Sequence, residues 1–300
     1  IEELHRGVDI LVATPGRLFD LVSQGHIHLR DIKVLVLDEA DLMLDLGFYK
    51  DIEDLIKYFH HFFGAQLRQR QTLFFSATIN EKIKKLAYSL VRNAIRIQIS
   101  PKDPVSKNVT HSVMYVGMDD KRFFLERIVN ENPESKILVF VRTKVRAERV
   151  YEAMKRVNIN SLTMHGGKDQ ENRLEVMSKF KTGEIKLLIA TDVSARGVDI
   201  ANVDYVVNYD LPEVAENYVH RVGRTGRGNN KGVAVSFCSP EEKPILEEIE
   251  AFMDKEINVL EIKKSDYSET LALTDDVNDN WKQLLREAEI EDKKYKGKKK

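Results

Sequence analysis

Asp38-Glu39-Ala40-Asp41 stands directly after Lys33 to Leu37, an apolar run that reads as a β-strand. Ligands of open parallel sheets bind beyond the carboxyl ends of the strands. An aspartate placed there can hold Mg2+ on a nucleoside triphosphate, and the next carboxylate, Glu39, can orient or deprotonate an attacking water. Taken alone, an acidic tetrad after a strand is more often the charge cluster of a helix N-terminus. A second cluster, His220-Arg221-Val222-Gly223-Arg224-Thr225-Gly226-Arg227-Gly228, carries three arginines at a spacing of three. The interleaved glycines let backbone approach a ligand closely, and the guanidinium groups can grip phosphate oxygens in pairs. An arginine supplied to a transferring γ-phosphate accelerates the reaction by on the order of 10³ to 10⁵. The plain reading of this cluster is a basic surface loop. A third cluster, Ala190-Thr191-Asp192-Val193-Ser194-Ala195-Arg196-Gly197-Val198-Asp199, sets a hydroxyl, an arginine and two acids beyond another strand; capping of a helix by Thr191 or Asp192 explains part of it. Ser76-Ala77-Thr78 and Thr14-Pro15-Gly16-Arg17 also end strand-like runs. The first reads mostly as a cap, while the second offers backbone amides and an arginine to a phosphate.

These residues need strands to present them, and the chain supplies strands alternating with helices. Val8 to Ala13, Lys33 to Leu37 and Thr72 to Phe75 are apolar runs with polar ends. Between them Ile83, Leu86, Ala87 and Leu90 recur at spacings of three and four in a helix from Asn80, its cap, to Arg92. Strands apolar on both faces, alternating with helices, predict a parallel sheet covered on both sides. Ser100-Pro101-Lys102-Asp103-Pro104 interrupts the pattern as a linker (100–108). Strands are then expected at Val109 to Val116, Ile137 to Val141, Leu162 to His165, Ile185 to Ala190, Tyr205 to Tyr209 and Val233 to Phe237. The expected helices run Lys121 to Asn130, Lys144 to Arg156, Gln170 to Lys181, Ala215 to Val222 and Glu241 to Lys255. The expected fold is therefore α/β in two domains. Residues 1–99 form a first domain that begins mid-pattern, and 109–262 form a complete second one. A charged extension, 263–300, follows, with one helix around Trp281 from Asn280 to Ile290 and a lysine-rich tail from Lys293 to Lys300. That tail reads first as a solvated segment and, compatibly with that, as a non-specific phosphate contact.

Of the 300 residues 47 are Lys or Arg and 48 Asp or Glu, so the net charge of −1 gives no general attraction to a polyanion. Any nucleic-acid site must be a local basic surface. Cys238 is the single cysteine, which excludes an internal disulfide and a cysteine metal cage; this fits a reducing compartment and points to the cytoplasm. It ends an apolar strand and is read as inert. No apolar run approaches the roughly 18–20 residues that span a membrane. His60-His61 reads as part of an aromatic helix face, since no acid or cysteine stands at ligand spacing.

In this order the motifs resemble those of the DEAD-box RNA helicases of helicase superfamily 2. The resemblance runs from about Val8 to about Phe237, through Thr14–Arg17, Asp38–Asp41, Ser76–Thr78, Val139-Phe140-Val141-Arg142-Thr143, His165-Gly166-Gly167, Gln170 to Arg173, Thr191 to Asp199 and His220 to Arg227. The acidic, helical C-terminal flank resembles bacterial members. The resemblance implies two RecA-like domains, with ATP and Mg2+ in the cleft between them and single-stranded RNA lying across both. By position it implies that Asp38 binds Mg2+ through water and Glu39 activates the hydrolytic water, with Arg224 and Arg227 as arginine fingers. Asp199 would contact the ribose. Asp41, Ser76, Thr78 and His220 would couple the nucleotide to the RNA face, and Arg196 would sit between the two sites. Thr14, Arg17, Thr143, Gly166, Arg173 and Thr191 would contact the RNA backbone. Such contacts are independent of sequence, and the expected activity is local separation of short duplexes or remodelling of RNA–protein complexes.

No Gly-x-x-x-x-Gly-Lys-Ser/Thr loop occurs in the sequence. The expectation is a chain that begins inside the first domain, hydrolyses almost no ATP as given, and has a first domain that lacks sheet neighbours and does not fold normally alone. Two other readings stand beside the helicase. One is an RNA-binding or RNA-chaperone module without hydrolysis, which the intact Arg224 and Arg227 disfavour. The other is a DNA helicase of the same superfamily, which Asp-Glu-Ala-Asp disfavours.

Overall fold

The computed structural model describes the chain except residues 30–31, 46, 55–70, 77–80, 92–93, 99–104, 196–199, 201–202, 229 and 273–300. Thr78, Arg196, Asp199, the Asn80 cap, His60, His61, Trp281, most of the linker and the lysine tail therefore lie outside the described residues. The chain divides into two compact units, Ile1–Ile99 and Ser100–Lys300.

The first unit contains α1 (Glu2–Arg6), α2 (Pro15–Ser23), β1 (Val34–Leu37), α3 (Ala40–Asp45), β2 (Gln71–Phe74) and α4 (Glu81–Leu90). β1 and β2 pair in parallel, with Leu37 opposite Phe74. Ile83, Leu86 and Leu90 face inward at the spacing read from sequence, and Leu86 and Leu90 pack with Leu37 and Ile52. Two expectations fail here. Val8 to Ala13 forms no strand: Ile10 is 84% and Val12 92% exposed. The run has no hydrogen-bonded partner among the described residues, and an extended segment without a ladder is not a strand. Nor do the described residues cover this sheet on both sides. Leu37 is buried on one face, while Val34, Val36, Leu73 and Phe75 are exposed on the other, because the described helices supply apolar side chains to one face only.

The second unit is built from β3 (Val109–Tyr115), α5 (Lys121–Glu131), β4 (Ile137–Phe140), α6 (Lys144–Arg156), β5 (Ser161–Met164), α7 (Gln170–Thr182), β6 (Leu187–Ala190), α8 (Asp192–Ala195), β7 (Tyr205–Asn208), α9 (Ala215–Val222), β8 (Gly232–Cys238), α10 (Lys243–Met253), β9 (Asn258–Val259) and α11 (Lys264–Ala272). Its seven strands are all parallel, in the order β5-β6-β4-β7-β8-β3-β9. Alternate strand residues feed two cores, as a period of two requires. Leu138, Phe140, Leu188, Ala190 and Val206 meet α7, α9 and α10 on one face. Val139, Val141, Ile189, Val207 and Phe237 meet α5 and α6 on the other. Asp169 caps α7 by accepting the Asn172 N–H, and Gly183, at φ 80°, ends it. Beyond residue 263, α11 lies against α5. The Tyr267 hydroxyl donates to Asp120 at 2.6 Å and accepts the Gly117 N–H at 3.1 Å, and Arg127 donates to Thr270. Among the described residues no helix is long and apolar enough to cross a membrane.

Candidate functional site

In the first unit the acidic tetrad sits at the carboxyl end of β1. Phe75 N–H donates to Leu37 O at 2.8 Å and Ala40 N–H to Phe75 O at 3.1 Å, so the tetrad lies beside the end of β2 and hence beside Ser76. Ala40 is fully buried, which explains a methyl side chain at the third position. Asp38 Oδ1 accepts the Glu39 N–H at 2.9 Å. Glu39 adopts φ 50°, a left-handed conformation that costs a non-glycine residue about 1–2 kcal/mol. The twist helps turn the chain from β1 into α3 within two residues, and Met43 N–H bonds back to Glu39 O. Asp38 and Glu39 are left exposed, whereas Asp41 is buried with Oδ1 accepting the Leu42 N–H. Strained non-glycine residues concentrate where chemistry needs a fixed geometry.

Thr14 precedes α2 and makes no side-chain cap. Arg17 donates to Asp20 at 2.5 Å with its side chain 61% exposed, a surface pair that leaves the guanidinium accessible to phosphate.

In the second unit the candidate residues gather along the carboxyl rim of the sheet. Thr143 follows β4 and its hydroxyl accepts the Arg146 N–H at 3.1 Å, capping α6. His165 and Gly166 follow β5, and Thr191 follows β6. Thr191 is buried, its hydroxyl 3.1 Å from that of Ser194, which in turn donates to Met164 O. Arg173, in the first turns of α7, donates to Ser194 O at 3.4 Å. One hydrogen-bonded patch thus joins Thr191 and Arg173 beside the His165–Gly166 turn.

The arginine cluster does not act as a uniform cationic turn. Arg221 is 2% exposed and held by four hydrogen bonds. It donates to both carboxylate oxygens of Asp192, at 2.6 and 2.7 Å, to Asn208 and to Asp210 O at 2.7 Å. The expectation that all three arginines are available to phosphate is corrected for this one: a buried guanidinium with four hydrogen bonds to Asp192, Asn208 and Asp210 is shut away from a phosphate. His220 and Arg224 are half-buried, and Arg227 is exposed, its Nε donating to Gly223 O at 2.9 Å.

The turn is fixed from below. Thr225 donates to Val203 O, and Asn108 donates to Gly228 O. A Cβ on Gly232 would lie 1.9 Å from Thr225 Oγ1, and one on Gly226 would lie 2.4 Å from Val109 Cγ2. Val203 and Asn108 precede β7 and β3, so Arg224 and Arg227 stand apart from the carboxyl rim and form a second locus of this unit.

Sequence reasoning missed a charged network under that rim. Lys121 is fully buried, its ammonium donating to Glu242 at 2.5 Å and Tyr209 O at 2.7 Å and lying 3.8 Å from Asp210. Asp210 also accepts from Arg146 at 3.2 Å and from the Arg142 N–H at 3.0 Å. Burial pushes the Asp210 carboxyl up, but Arg146, Lys121 and the Arg142 amide outweigh it and hold it below the usual carboxylate range. Arg142 reaches Glu242 at 3.3 Å. The available signal was a lysine on the inward face of α5, three residues from the buried Phe124. Burial pushes the Cys238 thiol up to about 11, consistent with an inert residue.

Among the described residues no three His, Cys, Asp or Glu converge as a metal cage. Mg2+ does not require one, since it is held by one or two carboxylates with waters and substrate phosphates. The exposed oxygens of Asp38 and Glu39 fit that donor chemistry.

Residues 1–86 match the family described as DEAD/DEAH box helicase, and residues 120–229 match the helicase conserved C-terminal domain. The ATP-dependent RNA helicase RhlB of Shewanella amazonensis is 40% identical over 256 residues, 85% of this chain and 57% of that protein. The chain spans about three fifths of the curated relatives it matches. Among solved structures, S. cerevisiae Dbp5 bound to RNA and ADP BeF3 superposes with a TM-score of 0.74 at 32% identity, covering 87% of this chain and 67% of that one. A DEAD box protein from Methanococcus jannaschii gives 0.51 at 34% identity, covering 85% and 67%. The architecture is that of the α/β, RecA-like units of these proteins. On family match, identity and fold together, the chain belongs to the DEAD/DEAH box helicases.

Proposed function

We propose that the protein is an RNA-dependent ATPase that separates short RNA duplexes or remodels RNA–protein complexes in the cytoplasm. The observation that carries this reading is the strained Glu39 backbone, which leaves two carboxylates exposed at a strand end in a chain that also carries a rigidly seated arginine turn. When bound, Mg2+ would neutralise phosphate charge. Asp38 would hold it through water, and Glu39 would orient the attacking water and take its proton. Arg224 and Arg227 would stabilise charge on the phosphate, and Asp199 would bind the ribose. Asp41, Ser76, Thr78, Arg196 and His220 would transmit RNA occupancy to the nucleotide. Thr14, Arg17, Thr143, Gly166, Arg173 and Thr191 would hold the RNA backbone. Arg221 takes a structural part by securing α9, which carries the turn.

The family's phosphate-binding loop is not among these 300 residues. The test is therefore ATP hydrolysis with and without single-stranded RNA, on this chain and on a chimera bearing the loop-containing segment of a curated relative. The chimera is expected to hydrolyse ATP with RNA stimulation. Glu39→Gln and Arg227→Ala are each expected to lower that rate by on the order of 10³ without abolishing RNA binding. A chimera that binds RNA yet stays silent with every nucleotide would make the RNA-binding module the better account.

A further inference from the structure

We propose that His165 is a positioning residue for RNA phosphate, shaping the turn 165–168 through a single ring tautomer; this rests on the RNA-binding reading above. The turn closes with Lys168 N–H donating to His165 O at 3.1 Å. Inside it, Gly167 N–H donates to His165 Nδ1 at 3.1 Å. A ring nitrogen that accepts carries no proton, so the neutral imidazole bears its hydrogen on Nε2. That atom lies 2.7 Å from Glu148 Oε1, on the other side of a ring that is itself buried.

Glu148 is a committed acceptor. The same oxygen takes the Thr163 hydroxyl at 2.8 Å and the Lys168 ammonium at 3.1 Å. Burial pushes the Glu148 carboxyl up, but the donors on it outweigh that effect and hold it low. Both ring nitrogens are therefore spoken for, and each fixes the role of the other.

The glycines fit this geometry. A Cβ on Gly167 would meet Nδ1 at 3.1 Å and Cε1 at 3.2 Å, so any larger residue would push the ring back by a few tenths of an ångström. Gly166 is exposed, with nothing within 4 Å of where its Cβ would be. Two of the turn's amides are bonded internally. The Gly166 N–H, exposed in the turn and without a protein acceptor among the described residues, is open to a phosphate oxygen. Arg173 and Thr191 stand on the same rim, so the histidine positions one amide within a composite backbone-binding surface.

The test uses fluorescence anisotropy of labelled single-stranded RNA with the full chain, beside nitrogen NMR of the His165 ring. Asparagine accepts from the backbone amide two residues on, so His165→Asn keeps the Gly167 bond and loses Glu148. His165→Gln reaches towards Glu148 and loses the Gly167 bond. The expected result is an Nε2–H ring, binding within about twofold of wild type for His165→Asn, and about tenfold weaker binding for His165→Gln. Gln binding like wild type while Asn fails would overturn the proposal, leaving His165 as a packing partner of Glu148. An Nδ1–H ring would overturn it as well. A wild-type chain with the Nε2–H ring and no RNA affinity would instead sink the RNA reading, and this inference with it.

Discussion

Single residues of the same type take opposite roles here, and burial decides which. Arg221 is buried against Asp192, whereas Arg227, six residues later, is exposed. Removing one partner of a buried pair leaves the other charge uncompensated, which costs about 3–5 kcal/mol. Asp192 keeps about a quarter of its side chain in solvent, so Arg221→Ala is expected near the lower end, about 3 kcal/mol. Arg227→Ala, at an exposed side chain, is expected to cost about 1 kcal/mol or less. Urea denaturation of both variants separates the two roles through the midpoint at unchanged slope. Equal midpoints would show that Arg221 does not secure α9. The three arginines look alike as a repeat. Their difference was nonetheless present in the helix period, since Tyr218, Arg221 and Val222 form one buried stripe of α9. What no local pattern supplies is the partner, because Asp192 lies 29 residues away in sequence.

Elements of the second unit were legible because their signals are local and agree with one another. Thr143 caps a helix whose bounds, Lys144–Arg156, match the expectation to the residue. Ile137 to Phe140 is apolar on both faces because both faces are covered. Elements that depend on a distant partner were not legible. Val8 to Ala13 has strand composition and no ladder, and β9 is two residues long, held by pairing with Ser112 and Val113. The charged network belongs to this second kind, since it joins α5, the end of β7, the start of α6 and the turn before α10. It gives the unit a pH dependence whose sign is set by Asp210. With its folded pKa depressed below the unfolded value of roughly 3.9, Asp210 contributes stability that is complete above that value. The contribution is lost as pH falls through the folded pKa. Wild type is therefore expected to lose this contribution on acidification below about pH 4. Asp210→Asn, already weaker at pH 7 because Lys121 and Arg146 lose a counter-charge, should fall less steeply. Parallel curves for the two proteins would mean that another carboxylate governs the acid limb.

Across the whole molecule, charge is nearly balanced but unevenly placed. The net charge of −1 conceals six lysines among the eight residues from Lys293 to Lys300. The residues proposed to contact RNA include only two cations, Arg17 of the first unit and Arg173 of the second, and the others offer hydroxyls and a backbone amide. Such a set positions a strand while adding little counterion release. The salt dependence of binding would then come largely from the tail. Each phosphate neutralised on a single strand contributes about 0.7 to the slope of log affinity against log salt. A chain ending at Asp292 is accordingly expected to bind single-stranded RNA more weakly at low salt, with a slope shallower by up to roughly 4 if all six lysines engage. Affinities of the two chains should converge as salt rises, because screening removes the tail's share and leaves that of the hydroxyl and amide contacts. Anisotropy titrations across a salt series measure both quantities. If truncation lowers affinity equally at every salt concentration, the tail acts through something other than charge. If it changes neither affinity nor slope, the other proposed contacts bind RNA without the tail.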